Sequence, residues 1–158
     1  MRLPLVLCLL ALALPAWAGA FPDPAPHEMC PVCGMLVSKY PDWTATVVYR
    51  DGHAYHFDGA KDLFKYLFDP KRYDRGHGAG DIERIGVTEY YEVKRIDAHQ
   101  AWFVIGSDVL GPMGHELIPF ASRADAEEFL RDHHGRRILR FDEVKQNLPG
   151  KLDLGRFD

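Results

Sequence analysis

Two cysteines two residues apart, Cys30-Pro31-Val32-Cys33, are followed at once by Gly34 and Met35. That spacing can bring both sulfurs toward one point, and three chemistries use it. Disulfide exchange needs a thiolate, which such motifs obtain by opening a helix whose N-terminus lowers the thiol pKa. Here Gly34 follows Cys33, Leu36-Val37 read as strand or turn, and no βαβ context surrounds the pair. Structural zinc wants four Cys or His ligands. There is no second Cys-x-x-Cys, His53 and His56 fall on opposite faces of a predicted strand, and His133-His134 adjoin a helix end. The third chemistry is a soft monovalent metal, because thiolate and thioether ligands together select Cu(I). Haem attachment is excluded, since it needs a histidine where Gly34 stands.

The methionines bear on that third chemistry. Met1 is the initiator, Met29 and Met35 flank the cysteines, and Met113 sits in Gly111-Pro112-Met113-Gly114-His115. Most methionines fill cores, whereas these three lie in loop-like segments, two of them rich in glycine. Gly34 lets the backbone bend so that the Met35 sulfur can come round. Ordinary packing stays open for each: Met113 as an apolar plug at a hairpin tip, Met35 beside Val37, and Met29 likewise.

The elements that must position these groups read as one pattern used twice. Residues 44–49 are β-branched and aromatic, Arg50-Asp51-Gly52 is a turn, and 53–57 alternate as a returning strand. Asp58 is the expected N-cap of a helix over 60–68, with Leu63, Phe64 and Leu67 on one face. Asp69-Pro70 ends that helix, residues 71–81 form a Gly-rich flexible connection, and 87–96 read as a third strand. The second half repeats the order: strands over 101–105 and 116–120, a helix over 124–132 capped by Ser122 and closed by Gly135, a strand over 137–141, and a short helical tail near 142–148. Pro119 marks the second of these strands as an edge or a strand end. Aligning Phe57-Asp58 with Phe120-Ala121 superposes the two helical stretches within one or two residues. Each half is too small to bury much core alone. The expected fold class is therefore α+β, two packed ββαβ units over 29–97 and 98–158, preceded by a Pro-rich flexible tail over 21–28.

The 158 residues are 47% hydrophobic and 27% charged, which excludes a largely disordered chain. A net charge of -4 excludes a strongly basic nucleic-acid binder. Residues 1–20 read as a signal peptide: Arg2, an apolar run from Leu3 to Leu14, Pro15, then Ala-x-Ala sites that place the cut after Ala18 or Ala20. Its removal takes the charge from -4 to -5 and leaves Cys30 and Cys33 as the only thiols. Cys8 lies inside the apolar run with Leu7 before it, which is not a lipidation context, and no later segment is apolar enough to span a membrane. The expectation is a soluble, exported chain without a lipid anchor.

Cys30-Pro31-Val32-Cys33-Gly34-Met35, the Gly111-Pro112-Met113-Gly114 loop with Pro119-Phe120 behind it, and the strand Gly135-Arg136-Arg137-Ile138-Leu139-Arg140-Phe141 together resemble the nitrous-oxide reductase accessory protein family, NosL. The resemblance runs from about residue 28 to 148. It implies a periplasmic Cu(I)-binding metallochaperone, not an enzyme, that serves the maturation of nitrous-oxide reductase or another periplasmic copper enzyme. Its partners would be the maturation proteins or the apo-reductase. It also implies a fold related to an organomercurial lyase. Carried over residue by residue, it places metal ligation on Cys30, Cys33, Met35 and Met113, with His115, then His27, as the histidines that could complete the site. Family members are commonly lipoproteins with a cysteine at the cleavage site, and this leader has none there.

Two other readings compete. A periplasmic thiol-disulfide oxidoreductase would use Cys30 and Cys33 alone, and a lyase acting on a carbon–metal bond would need an acid beside its thiols, for which Asp58 or Asp108 could serve. A docking protein would present surface aromatics such as Trp43 or Tyr91, although core packing is the simpler role for most of the aromatic residues.

Overall fold

In the computed structural model, which describes residues 20–158, the first unit is built on the hairpin of β1 (Ala45–Tyr49) and β2 (Ala54–Phe57). The Asp51-Gly52 turn closes it as the sequence implies: Gly52 takes φ +87°, and the Tyr49 N–H donates to the His53 carbonyl at 2.8 Å. Helix α1 (Ala60–Phe68) follows with the bounds its periodicity implies. Its N-cap is Gly59, not Asp58, whose carboxylate is used elsewhere. The short α2 (Pro70–Tyr73) occupies the start of the connection expected to be flexible. Farther along it, His77 is held between Asp74 at 2.7 Å and Asp51 at 2.9 Å.

The third strand differs from its expected bounds. β3 runs over Ile82–Thr88, and β4 (Arg95–Asp97) is a separate strand, giving an antiparallel sheet of order β2-β1-β3-β4. Between them the buried Glu89 carboxylate accepts the Tyr91 and Glu92 N–H groups at 3.1 and 2.7 Å, and Val93 adopts φ +54°. The aromatic run that reads as strand is spent on the other unit. Tyr90 donates its N–H to the Pro119 carbonyl at 3.0 Å, and its ring meets Phe129 edge to face at 4.9 Å.

The second unit repeats the connectivity. β5 (Trp102–Ile105) is central, β6 (Ile118–Phe120) and β7 (Arg137–Arg140) flank it, and α3 (Arg123–Asp132) joins the last two. Pro119 lies on the edge strand β6, where its missing N–H costs no ladder bond. Ser122 caps α3 by accepting the Asp125 N–H at 3.1 Å. The helix ends at Asp132 as expected, but the left-handed closing residue is His134, φ +54°, one before Gly135, which donates back to Leu130 at 2.8 Å. The terminal helix α4 is Leu148–Asp153, later than the tail expected near 142–148.

Alternation along β5 decides how the units pack. Phe103 and Ile105 join the larger core with Leu63, Phe64 and Leu148, and the Phe103 and Phe64 rings meet at 5.5 Å. Val104 faces the other way, into the smaller core of Phe120, Ala126 and Phe129 under α3. Trp43 packs against this smaller core and is not free as a docking face. The second sheet is thus covered on both faces, and the first turn of α1 is enclosed between the units, so that even Lys61 and Asp62 are buried.

Residues 21–28, expected as a flexible tail, carry a turn at Pro26-His27 and specific contacts. Arg95 donates to the Pro22 carbonyl at 2.6 Å, and the buried His56 reaches Pro22 O at 3.0 Å and Glu28 at 2.6 Å. The Phe21 ring lies where a Cβ at Gly86 would stand. The leader expected over residues 1–20, Cys8 included, lies outside the described residues apart from Ala20. No helix among the described residues is long and apolar enough to cross a membrane.

Candidate metal centre

The Cys-x-x-Cys segment is the tip of a tight hairpin rather than a helix start. Met29 and Leu36 pair as an antiparallel bridge. Inside it the Cys30 N–H donates to Met35 O at 2.8 Å, and the Gly34 N–H donates back to Cys30 O at 2.9 Å. Gly34 supplies the φ of +76° that the turn requires. Cys30 and Val37 are buried and root the hairpin in the larger core, while Cys33 is half-buried.

Two acids face the sulfurs. β2 ends at Phe57, so Asp58 leaves the sheet edge directly into the start of α1, and Asp62 follows in the first turn of that helix. Cys33 Sγ lies 3.1 Å from Asp58 Oδ1, and Cys30 Sγ 3.5 Å from Asp62 Oδ2. One donor atom from each of Cys30, Cys33, Asp58 and Asp62 lies within 4.8 Å of every other. Asp58 Oδ2 is buried with no hydrogen-bond partner among the described residues. Asp62 Oδ1 has the Lys65 ammonium at 3.1 Å.

This environment opposes free thiolates. Burial, with the charge of Asp62 added, pushes the Cys30 thiol up to about 12. Burial and the hydrogen bond to Asp58 push the Cys33 thiol up as well. A disulfide exchanger needs the opposite, so the oxidoreductase reading finds no support in the geometry. A cation reverses the balance: two carboxylates, one with an unsatisfied oxygen, and two displaceable thiol protons form a pocket that favours positive charge. Four donors, two soft and two hard, are present where the sequence offered no fourth Cys or His for zinc.

The two methionines expected as ligands join the surroundings of this group through their backbones. Met35 is half-buried and backbone-paired to Cys30. Met113 occupies the tip of a second tight turn, in which the Gly111 and Gly114 N–H groups bond each other's carbonyls at 2.8 and 3.1 Å. Its side chain is exposed, and its carbonyl accepts from the Lys61 ammonium at 2.7 Å. The distant loop is thereby tied to the helical turn that carries Asp62. The histidine candidates lie apart from the cluster: the His115 ring packs edge-on against Phe157 at 4.9 Å, and His27 is exposed. Asp108 bonds His133 at 3.0 Å, so of the two acids considered for a lyase only Asp58 is beside a thiol.

Along the sequence Asp58 reads as a helix cap or as an acid for a lyase, and Asp62 has no role at the site. An acid before a helix and another in its first turn is the ordinary capping and dipole pattern, so nothing separates these two from common helix starts. The available signal was the spacing of four between them, which sets both on one side of an incipient helix.

Gly59 cannot cap α1 with a side chain, and Glu116 does so from the other unit. Its Oε2 accepts the Lys61 N–H at 2.8 Å and the Leu117 N–H at 3.2 Å. Burial raises the Glu116 carboxyl from its ordinary 4.5 to about 8. A raised acid contributes stability that is fully present below its unfolded pKa and is lost as pH rises through the folded one. The stability of the wild type relative to Glu116→Gln is therefore expected to fall between pH 4.5 and pH 8, read from urea denaturation at several pH values. A difference that stays flat or rises over that window contradicts the assignment.

Fold and site together define a two-sheet α+β protein with an acid-flanked dithiol centre able to hold a metal ion. The chain belongs to the NosL family, whose model matches residues 23–149. It is 31% identical over 123 residues to the copper-binding lipoprotein NosL of Stutzerimonas stutzeri, a match covering 77% of this chain and 64% of that relative. The chain thus spans a little under two thirds of the length of the curated relative it matches. The crystal structure of the copper chaperone NosL from Shewanella denitrificans superposes with a TM-score of 0.63 at 29% identity, covering 77% of this chain and 92% of that one. Both relatives are named for binding copper and neither for an enzymatic activity.

Proposed function

We propose that this chain is an exported, periplasmic carrier that takes Cu(I) on Cys30 and Cys33, with the Met35 and Met113 thioethers as further ligands. It hands the ion to nitrous-oxide reductase, to the proteins that mature it, or to another copper enzyme of that compartment. The observation that carries the reading is the meeting of the dithiol hairpin and the Met113 loop on the first turn of α1.

The chemistry follows from the donors. Cu(I) displaces the thiol protons, and sulfur is the donor it prefers over the nearby carboxylate oxygens. Asp58 and Asp62 then stand beside a bound cation instead of beside neutral thiols, which offsets part of the cost of ionising two buried sulfurs. Thioethers ligate without losing a proton, so they lessen the pH dependence that thiolates impose. Cys33 is the more open sulfur and Met113 is exposed, which gives an incoming ligand of the client an approach to the ion. The Stutzerimonas stutzeri relative is named a lipoprotein, and the leader of this chain carries no cysteine at its expected cleavage site.

The test is a titration of the reduced chain, without its leader, with Cu(I) against a chromophoric chelator. One ion per chain is retained, and Met113→Leu weakens its hold. Oxidation to a Cys30–Cys33 disulfide removes both ligating thiolates and abolishes retention. Copper kept by the fully oxidised protein would refute the site.

A further inference from the structure

Lys61 is a full cationic side chain, 0% exposed, enclosed between the two units. A buried charge is costly unless paired, and replacing such a pair by apolar side chains is often neutral or stabilising. Its retention therefore asks for a role other than stability. Its contacts supply one. The Lys61 ammonium donates to the Met113 carbonyl at 2.7 Å and pairs with Asp153 of α4 at 2.9 Å. Asp153 pairs in turn with Lys65 at 2.9 Å, and Lys65 with Asp62 at 3.1 Å, the acid that faces Cys30. One continuous chain of charged contacts thus runs from the Met113 loop to the thiols.

The loop is closed at its tip and rests on a fixed base. Gly111 and Gly114 bond each other across the turn, so Pro112 and Met113 form a closed tip. Beneath it a Cβ at Gly111 would stand 2.4 Å from Glu116 Cγ, which leaves the base of the loop resting on the Glu116 side chain. With base and tip both fixed, the carbonyl of Met113 sets where its own side chain starts.

We propose that Lys61 is the positioning residue of this centre, holding the Met113 loop of the second unit against α1 so that the thioether stands over the dithiol hairpin. The inference rests on the copper reading given above, and it adds the group that makes a ligand from one unit available to the other. Lys61 itself touches no metal.

The test uses the full mature chain with Lys61→Met, which keeps the length of the stem and removes the ammonium. Cu(I) affinity is expected to fall about tenfold, the range found when groups that orient a ligand are removed. In a Met113→Leu background the same substitution is expected to cost little further. An equal loss in that background means a general structural effect and overturns the proposal. The copper-free readout is the ¹³C-methyl NMR signal of Met113, expected to move toward its motionally averaged position in Lys61→Met while that of Met35 stays. A Met113 signal unchanged by Lys61→Met also overturns the positioning role. A moved signal combined with unaltered copper affinity in Met113→Leu supports the positioning and instead sinks Met113 as a ligand. Should Lys61→Met not fold, Asp153→Asn loosens the same ammonium from a partly exposed site, and a smaller shift of the Met113 signal in the same direction is expected; no shift counts against the proposal.

Discussion

Cys30→Ser combined with Cys33→Ser is expected to lower Cu(I) affinity by well over a hundredfold, beyond the ~10–100-fold typical of losing a group that only orients a ligand. On the proposed reading the two sulfurs are the sole anionic soft donors in reach. Their replacement leaves an oxygen cluster of two hydroxyls and two carboxylates, which suits hard cations and not a cuprous ion. Serine is close in size to cysteine and its hydroxyl can donate to Asp58 and Asp62 as the thiols do, so the hairpin, closed by the Cys30–Met35 and Gly34–Cys30 backbone bonds, keeps its shape. Competition with a chromophoric chelator measures the loss, and circular dichroism checks that the fold persists. Undiminished capture by the double variant would place the ion on methionines or histidines and remove the dithiol hairpin from the function.

Gly59→Ala is expected to destabilise the fold by about 2–4 kcal/mol, the sum of overpacking and of leaving buried donors without their acceptor. Gly59 has φ -175°, extended backbone that any residue adopts, so the penalty is one of contact and not of conformation. An added Cβ would stand 2.4 Å from Glu116 Oε1, and the buried acid can move aside only by giving up its bonds to the Lys61 and Leu117 N–H groups. Pushing Glu116 away uncaps α1 at the Lys61 N–H and disturbs the helical turn that carries Asp62. Urea denaturation should show a lower midpoint at unchanged slope. In a Glu116→Ala background the glycine substitution should cost much less, since the clash is then gone. A cost under about 0.5 kcal/mol, ordinary for a substitution away from any buried feature, would show that Glu116 is not wedged as the contacts indicate.

These two expectations separate what is readable along the chain from what is not. The hairpin at Asp51-Gly52, the span of α1, the Ser122 cap and the edge position of Pro119 all follow from local chemistry: φ preferences, hydrophobic period, a side chain bonding its own helix. Residues 87–96 went astray because local chemistry favours a strand there, while Tyr90 finds more to bury in the second unit and Glu89 turns the backbone to let it. α3 ends at Asp132 as expected, but the left-handed closing position is taken by His134, with Gly135 next to it.

For the site, the chain alone singled out the candidate soft donors, Cys30, Cys33, Met35 and Met113. Cysteines two apart with a methionine beyond them announce their chemistry by type and spacing, and so does a methionine in a loop of glycine and proline. Tertiary structure alone decided the rest. Asp58 and Asp62 become partners of the thiols only when the end of β2 meets the hairpin, across 25 and 32 residues of sequence. Lys61 and Glu116 lock the units together across 55. Nothing local distinguishes an acid that caps a helix from one that faces a sulfur, or a lysine on a solvated face from one enclosed between sheets. Burial makes that difference: it strips water from the charge and leaves each group dependent on whichever partner the fold brings within reach.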